Sequence, residues 1–345
     1  MQLALRRITV MLAAFAGTAS TALAQDFLDR HFAQDLLAMT PSERVSGEPG
    51  RMRVVESSCR SLPMTDVRRR IVNIAVQEWA YFGFNVVDET IVRENTGWPP
   101  RGSRRSGRRF SWLDLQESAR VADSIAGYWA ITSDGSWILN RQNQIWAGSD
   151  GVAARWRDPW SAAFISWVMC ESGMGESSRF QRAIAHHTYI DQAIEARDRG
   201  DAEAAFIAYD VGERAVEPGD LVCAARRPTY VELEERRRQL GVGIRSHCDI
   251  VIKLEPDKNR ILAIGGNVRG TVSLKLLPAD FAAADGMEST ITQIGRGRDT
   301  IFAHLKLRAD VIEANAFDNA PTWQLVGEEP ALLEQVLRRL AGESS

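Results

Sequence analysis

The chain has little of what marks a metalloprotein, a membrane protein or a nucleic-acid binder. Its 345 residues hold four cysteines, Cys59, Cys170, Cys223 and Cys248, and their spacing fits no zinc-ligand pattern. No metal and no cofactor is therefore expected; the thiols should be bridged or buried. Beyond residue 24 no apolar run approaches the roughly 20 residues that cross a bilayer, so no stable membrane insertion is expected. A formal charge of −3 gives no basic excess, which argues against a general nucleic-acid partner. No internal repeat and no long low-complexity tract interrupts the sequence.

The first 24 residues are a different matter. Arg6 and Arg7 precede an uncharged apolar or small stretch at 8–19, and Ala22-Leu23-Ala24 forms an A-x-A cleavage site before Gln25-Asp26. This is the pattern of a secretory signal peptide. Cleavage near Ala24 predicts a periplasmic or secreted product. It also removes two arginines and no acid, taking the charge from −3 to about −5. An oxidising compartment would allow the four cysteines up to two disulfides.

Residues 25–63 are polar and broken by Pro41, Pro49 and Pro63, which predicts a flexible leader to a single domain over 64–345. Thr65 is placed to cap a helix whose Val67, Ile71, Ile74, Ala75, Trp79 and Phe82 form one apolar stripe. Residues 97–109, with five arginines among Pro, Gly and Ser, read as a solvated loop. Helical patterns follow over about 114–131 and over 179–211, broken at Gly200. After Pro218 the period shortens. Short runs such as Leu221-Val222-Cys223, Ile250-Val251-Ile252 and Ile261-Leu262-Ala263-Ile264 alternate with turn residues, as in an antiparallel sheet. A last helix is expected at about 330–341. Helices followed by a small antiparallel sheet give an α+β fold class. Nine of the ten tryptophans lie between Trp79 and Trp167, and stripes of this kind more often build a core than a sugar-binding groove.

Residues 158–170 read DPWSAAFISWVMC. Asp158 suits an N-cap and Pro159 the first helical position, so Ser161 falls in the first turn of a buried helix. Two further segments belong with this one: Pro218-Gly219-Asp220-Leu221-Val222-Cys223, and Ser246-His247-Cys248-Asp249-Ile250-Val251 leading to Gly265-Gly266-Asn267. Together the three resemble the papain-like cell-wall hydrolases of the NlpC/P60 and CHAP type. More closely, with P-W-S-A-A-F, H-C-D-I-V and G-G-N, they resemble the DUF2272 family, over roughly residues 65–280. The resemblance implies a papain-like (NlpC/P60-like) core. It also implies hydrolysis of amide bonds in peptidoglycan or muropeptides, without a cofactor.

Where the cysteine hydrolases carry their thiol, this chain carries Ser161. A serine hydroxyl needs an adjacent base throughout, whereas a thiol is partly ionised near neutral pH. Unpaired first-turn amides would favour a developing oxyanion. His247 is the expected base. Its orienting group is either Asp249 or Asn267. Asp249 shares its strand face, but neighbours along one strand are about 7 Å apart. Asn267 needs a bulge at Gly265-Gly266 to come round from the wrong face. His247 and Asp249 are expected on the sheet face that receives the Ser161 helix, with Cys248 on the other. Trp160, His186 and Tyr189 are expected to line the substrate cleft, the last two on one helical face. Cys223 and Cys248, on neighbouring strands, are the expected cross-strand bridge. The competing reading is a non-catalytic periplasmic module that binds cell-wall fragments or a partner protein through the same cleft.

Overall fold

The computed structural model describes residues 37–91, 113–284, 287–296 and 300–341. The segment read as a signal peptide, the first part of the expected leader and the arginine-rich loop lie outside the described residues. The helices are α1 (Val67–Tyr81), α2 (Leu115–Arg120), α3 (Ala122–Ala130), α4 (Gly135–Trp146), α5 (Ser161–Glu171), α6 (His186–Arg199), α7 (Leu233–Arg237), α8 (Pro321–Glu328) and α9 (Pro330–Leu340). The strands are β1 (Val45–Ser46), β2 (Arg53–Val54), β3 (Asn85–Asp88), β4 (Phe206–Tyr209), β5 (Leu221–Arg227), β6 (Arg245–Glu255), β7 (Arg260–Val268), β8 (Thr271–Ala284), β9 (Met287–Ile294) and β10 (Ile301–Leu307).

The fold is mixed α/β. Eight strands form one sheet in the order β3-β8-β7-β6-β5-β10-β4, with β9 added on β8. The sheet is larger than expected and is not purely antiparallel, because β3 pairs parallel with β8. β3 and β4 are only four residues long. Each lies beside strongly helical sequence, so period alone does not reveal it. Residues 206–209, expected to be helical, are therefore strand, and the helix before them ends at Gly200 in the left-handed region (φ 67°). The helix expected over 114–131 is two helices, the first capped by Asp114, whose carboxylate accepts from Glu117 N at 2.9 Å. Asp66, not Thr65, precedes α1, and no side chain caps that helix. The stripe of α1 is buried as its spacing requires, in one core with α5, α6 and the sheet.

The leader expected over 25–63 is not loose where it is described. Leu37, Arg44 and Met52 are buried, and a disulfide joins Cys59 to Cys170 at the end of α5. Arg44 pairs with buried Glu171. The backbone of Pro41 lies so close to α3 that a Cβ on Gly127 would sit 1.8 Å from its carbonyl oxygen. Charges and prolines that look solvated in sequence are here satisfied internally, so the strap 37–63 is part of the domain.

Two sheet features position the site. Cys223 and Cys248 are directly paired across β5 and β6 and form the second disulfide. The helix α5 lies over the face that carries Cys248, Ile250 and Ile252, which share a core with Phe164 and Trp167. Val222 and Ala224, the partners of Asp249 and His247, belong to a separate core. The face assignment made from sequence is thus reversed. The Pro-Gly-Asp turn before β5 is structural: buried Asp220 accepts from Arg68 at 2.7 Å and bonds His304 at 2.8 Å, tying α1, β5 and β10 together. Burial works to raise the Asp220 carboxyl, but His304 and Arg68 beside it hold it below its usual range.

Candidate functional site

Ser161 is the first residue of α5. The preceding residue is Trp160, and no side chain caps the helix. Asp158, expected as the cap, instead faces Arg141 at 3.6 Å. The first intrahelical bond runs from Phe164 N to Trp160 O, so the amides of residues 161–163 have no intrahelical acceptor. Trp160 does not line a cleft. It is 2% exposed and packs between Phe82 and Tyr128, with ring centroids 5.8 Å from each. Its ring fills the core beneath the helix start.

The histidine bonded to Ser161 is His186. Ser161 Oγ and His186 Nε2 are 2.7 Å apart, and His186 Nδ1 bonds the Tyr189 hydroxyl one helical turn on. His186 is itself the first residue of α6, so two helix N-termini converge here, each with its positive dipole end inward. His186 and Tyr189 thus share a face as expected, but they are buried partners of the serine and not the walls of an open cleft. Burial, reinforced by His247, His187 and Arg226, holds His186 well below its ordinary pKa, against the opposing pull of Asp249. Burial and the Asp249 charge push Tyr189 well above the usual tyrosine value. Both rings are neutral near pH 7.

His247 does not bond Ser161. Its ring lies edge-to-face on His186 with centroids 5.2 Å apart, and its Nε2 bonds Asp249 Oδ1 at 2.9 Å. The 7 Å backbone spacing is bridged because the two side chains lean together. Gly265 makes room for this: a Cβ there would sit 2.0 Å from Asp249 Oδ1 and 2.9 Å from His247 Nε2. The other carboxylate oxygen of Asp249 accepts from Lys275 Nζ at 3.1 Å, and Lys275 also pairs with Glu89 at 3.1 Å. Burial alone would raise the Asp249 carboxyl, but Lys275 and His247 hold it far below the usual carboxylate range. Burial likewise works against the Lys275 charge, and Asp249 with Glu89 more than restores it.

The bulge expected near Gly265-Gly266 is present, as a register shift between Gly265 and Val268. Asn267 sits in it at φ 56°. Among the described residues no hydrogen bond joins Asn267 to either histidine, so of the two orienting candidates Asp249 is the one in contact. Sequence reasoning missed Lys275 and Glu89. The available signal was a lysine framed by Leu274 and Leu276 inside a strand whose sequence otherwise reads as buried. Among the described residues no cluster of three His, Cys, Asp or Glu side chains is placed to hold a metal ion, and both candidate thiol pairs are oxidised. The same residues contain no helix long and apolar enough to cross a membrane.

Residues 116–309 match the family described as an uncharacterized protein conserved in bacteria (DUF2272). No curated protein and no solved structure matches the chain.

Proposed function

The chain belongs to the DUF2272 family, and from that footing we propose that it is an exported hydrolase of amide bonds in peptidoglycan or a related cell-wall peptide. The observation that carries this reading is the 2.7 Å contact of Ser161 Oγ with a neutral histidine at the start of α5. A second histidine, held by an ionised aspartate, stands beside it. In this reading the core is papain-like. The helix α5 lies across β6 and β7, and its first residue takes the position of the cysteine nucleophile in NlpC/P60 and CHAP enzymes. The signal peptide at 1–24 delivers the protein to the periplasm or beyond, where peptidoglycan and muropeptides are its partners.

The chemistry is acyl transfer. Ser161 Oγ attacks the amide carbonyl, forming an acyl-oxygen bond. The hydroxyl proton passes to a histidine, and that histidine returns a proton to the departing amine. The unpaired amides at 161–163 face the developing oxyanion. Water then releases the acyl group by the reverse of the same steps. Incubation with purified peptidoglycan and mass analysis of the released fragments tests this. New amine and carboxyl ends should appear with wild type and not with Ser161→Ala.

A second reading is favoured by one observation: Ser161 keeps 8% of its surface open and His186 4%. A site this closed also suits a non-catalytic module that grips wall fragments or a partner protein. Wild type that binds muropeptides and releases no new ends would establish it.

A further inference from the structure

One histidine bonds the serine and a second lies edge-to-face on the first, and their hydrogen-bond partners assign them different work. We propose that Tyr189 locks His186 in the tautomer protonated on Nε2, making His186 a fixed donor to Ser161 Oγ while the serine proton leaves toward His247 Nδ1. The catalytic half of this inference rests on the hydrolase reading of the same site; the tautomer does not.

The tautomer follows from counting hydrogens. The Tyr189 side chain is buried, at 1% exposure, and among the described residues the only partner of its hydroxyl is His186 Nδ1. Suppose Nδ1 carried the proton. The tyrosine oxygen would then accept it, and the tyrosine O–H would be stranded in the core without an acceptor. With the proton on Nε2, Tyr189 donates to Nδ1 and Nε2–H donates to Ser161 Oγ. One hydroxyl hydrogen is still left over, but it belongs to Ser161, which keeps 8% of its surface open. An unmade hydrogen bond costs most where water cannot replace it. The arrangement that leaves the serine hydrogen free is therefore the stable one.

That free hydrogen is the one a nucleophile must lose. His186 cannot take it, because its Nε2 already carries a proton and its Nδ1 is filled by Tyr189. His247 can. Its Nε2 is engaged by Asp249, and Nδ1 has no partner among the described residues, on a side chain that is 14% exposed. His186 then does for the serine what ionisation does for a thiol. Its N–H, 2.7 Å from Oγ, bonds more strongly as negative charge gathers on that oxygen. Besides Tyr189, the charged or titratable groups around His186 are His247, Asp249, His187 and Arg226. With burial added, their combined effect keeps the ring neutral, so the donor does not become an acid that titrates near pH 7. His186 touches a reacting atom. Tyr189 acts through it and is a positioning residue.

The experiment uses the mature protein with 15N-labelled histidine. The whole chain has five histidines, so long-range 1H–15N correlation resolves them, with His186→Gln and His247→Gln serving for assignment. His186 should show a protonated Nε2 and a bare Nδ1, unchanged as pH falls from about 8 through the ordinary histidine value near 6.5. The opposite tautomer in wild type overturns the proposal outright, without needing any variant to fold. The second measurement is labelling by an alkyl fluorophosphonate. Here the Ser161 Oγ–P bond forms, the P–F bond breaks with loss of fluoride, and the hydroxyl proton goes to His247. Tyr189→Phe loses only a hydroxyl. It should keep the wild-type fold, let the His186 proton redistribute between its nitrogens, and slow labelling by about tenfold or more. A Tyr189→Phe protein labelled at the wild-type rate overturns the donor role. Wild type with the expected tautomer but no labelling of Ser161 at all overturns the hydrolase reading and the catalytic half with it.

Discussion

Gly265→Ala should damage the site more than its size suggests. In an ordinary strand position an added methyl is neutral or helpful, because glycine loses the most backbone freedom on folding. Here the new Cβ would meet Asp249 Oδ1 at 2.0 Å, His247 Nε2 at 2.9 Å and Asp249 Cγ at 3.2 Å. The carboxylate would have to retreat by more than an ångström to reach ordinary contact. It has nowhere to go without loosening Lys275 or His247, both of which it bonds at about 3 Å. Overpacking of a buried position costs about 1–3 kcal/mol, and weakening one charge-assisted hydrogen bond costs about 1.5–3 kcal/mol. The expected loss is thus about 3–5 kcal/mol, read from urea unfolding at pH 7. Gly327→Ala is the control: nothing lies within 4 Å of its Cβ position in α8, and it should stabilise by about 0.4–1 kcal/mol. The His247 ring signals should also shift in Gly265→Ala and not in Gly327→Ala. If Gly265→Ala unfolds at the wild-type midpoint with an unchanged His247 spectrum, Asp249 is not held where the contacts place it, and the orienting role falls.

Lys275→Met strands the buried Asp249 charge and should cost about 3–5 kcal/mol at pH 7. The Asp249 carboxyl is held down in the folded state, so its stabilisation is present above the unfolded value near pH 4 and lost as pH falls through the lower folded one. The gap between wild type and Lys275→Met in urea unfolding should therefore narrow below about pH 4; a gap independent of pH would refute the pairing. Removing the Cys59–Cys170 bridge by double serine substitution should cost more than removing Cys223–Cys248. Their sequence separations are 111 and 25 residues, and chain entropy gives about 5 and about 3.5 kcal/mol; the reverse order in equilibrium unfolding would show that the strap 37–63 contributes little. Ser161→Cys should give a thiol that iodoacetamide alkylates at pH 6 faster than free cysteine, since first-turn amides and the His186 N–H favour a thiolate. Slower alkylation would mean the position does not stabilise negative charge.

Much of the chain's organisation was legible because local rules and tertiary packing agree. The stripe of α1, the short runs at 221–223, 250–252 and 261–264 and the cross-strand cysteines all lie where period and turn residues put them. The failures have particular causes. β3 and β4 are too short for periodicity to outweigh their helical neighbours, and the buried stripe of α4 includes the polar Gln142 and Asn143. The strap at 37–63 reads as solvated because the partners of its charges, Glu171 above all, are more than a hundred residues away. At the site, sequence named Ser161, His186, Tyr189, His247 and Asp249, and the structure brings all five together. It did not reveal which histidine meets the serine. That depends on two helix starts, 25 residues apart, converging at one point, and no spacing rule carries such information.

The division between the histidines also answers why this position can hold a serine. On the proposed chemistry, attack by Ser161 creates a negative oxygen and a positive imidazole at the same moment. The side of the site around Ser161 is prepared for the anion: two helix N-termini and a neutral His186 face it, and among the described residues no carboxylate bonds the serine. The side around His247 is prepared for the cation. Asp249 and Glu89 both pair with Lys275, and the second carboxylate oxygen of buried Asp249 bonds His247 Nε2 at 2.9 Å. On the proposed chemistry a proton arriving on His247 meets a carboxylate already held ionised beside it. The same argument explains why Lys275 helps here when a lone lysine near a base would hinder it: without it the buried Asp249 carboxylate could not stay ionised in the interior. A thiol needs less of this, since it ionises by itself near neutral pH. A serine needs both halves.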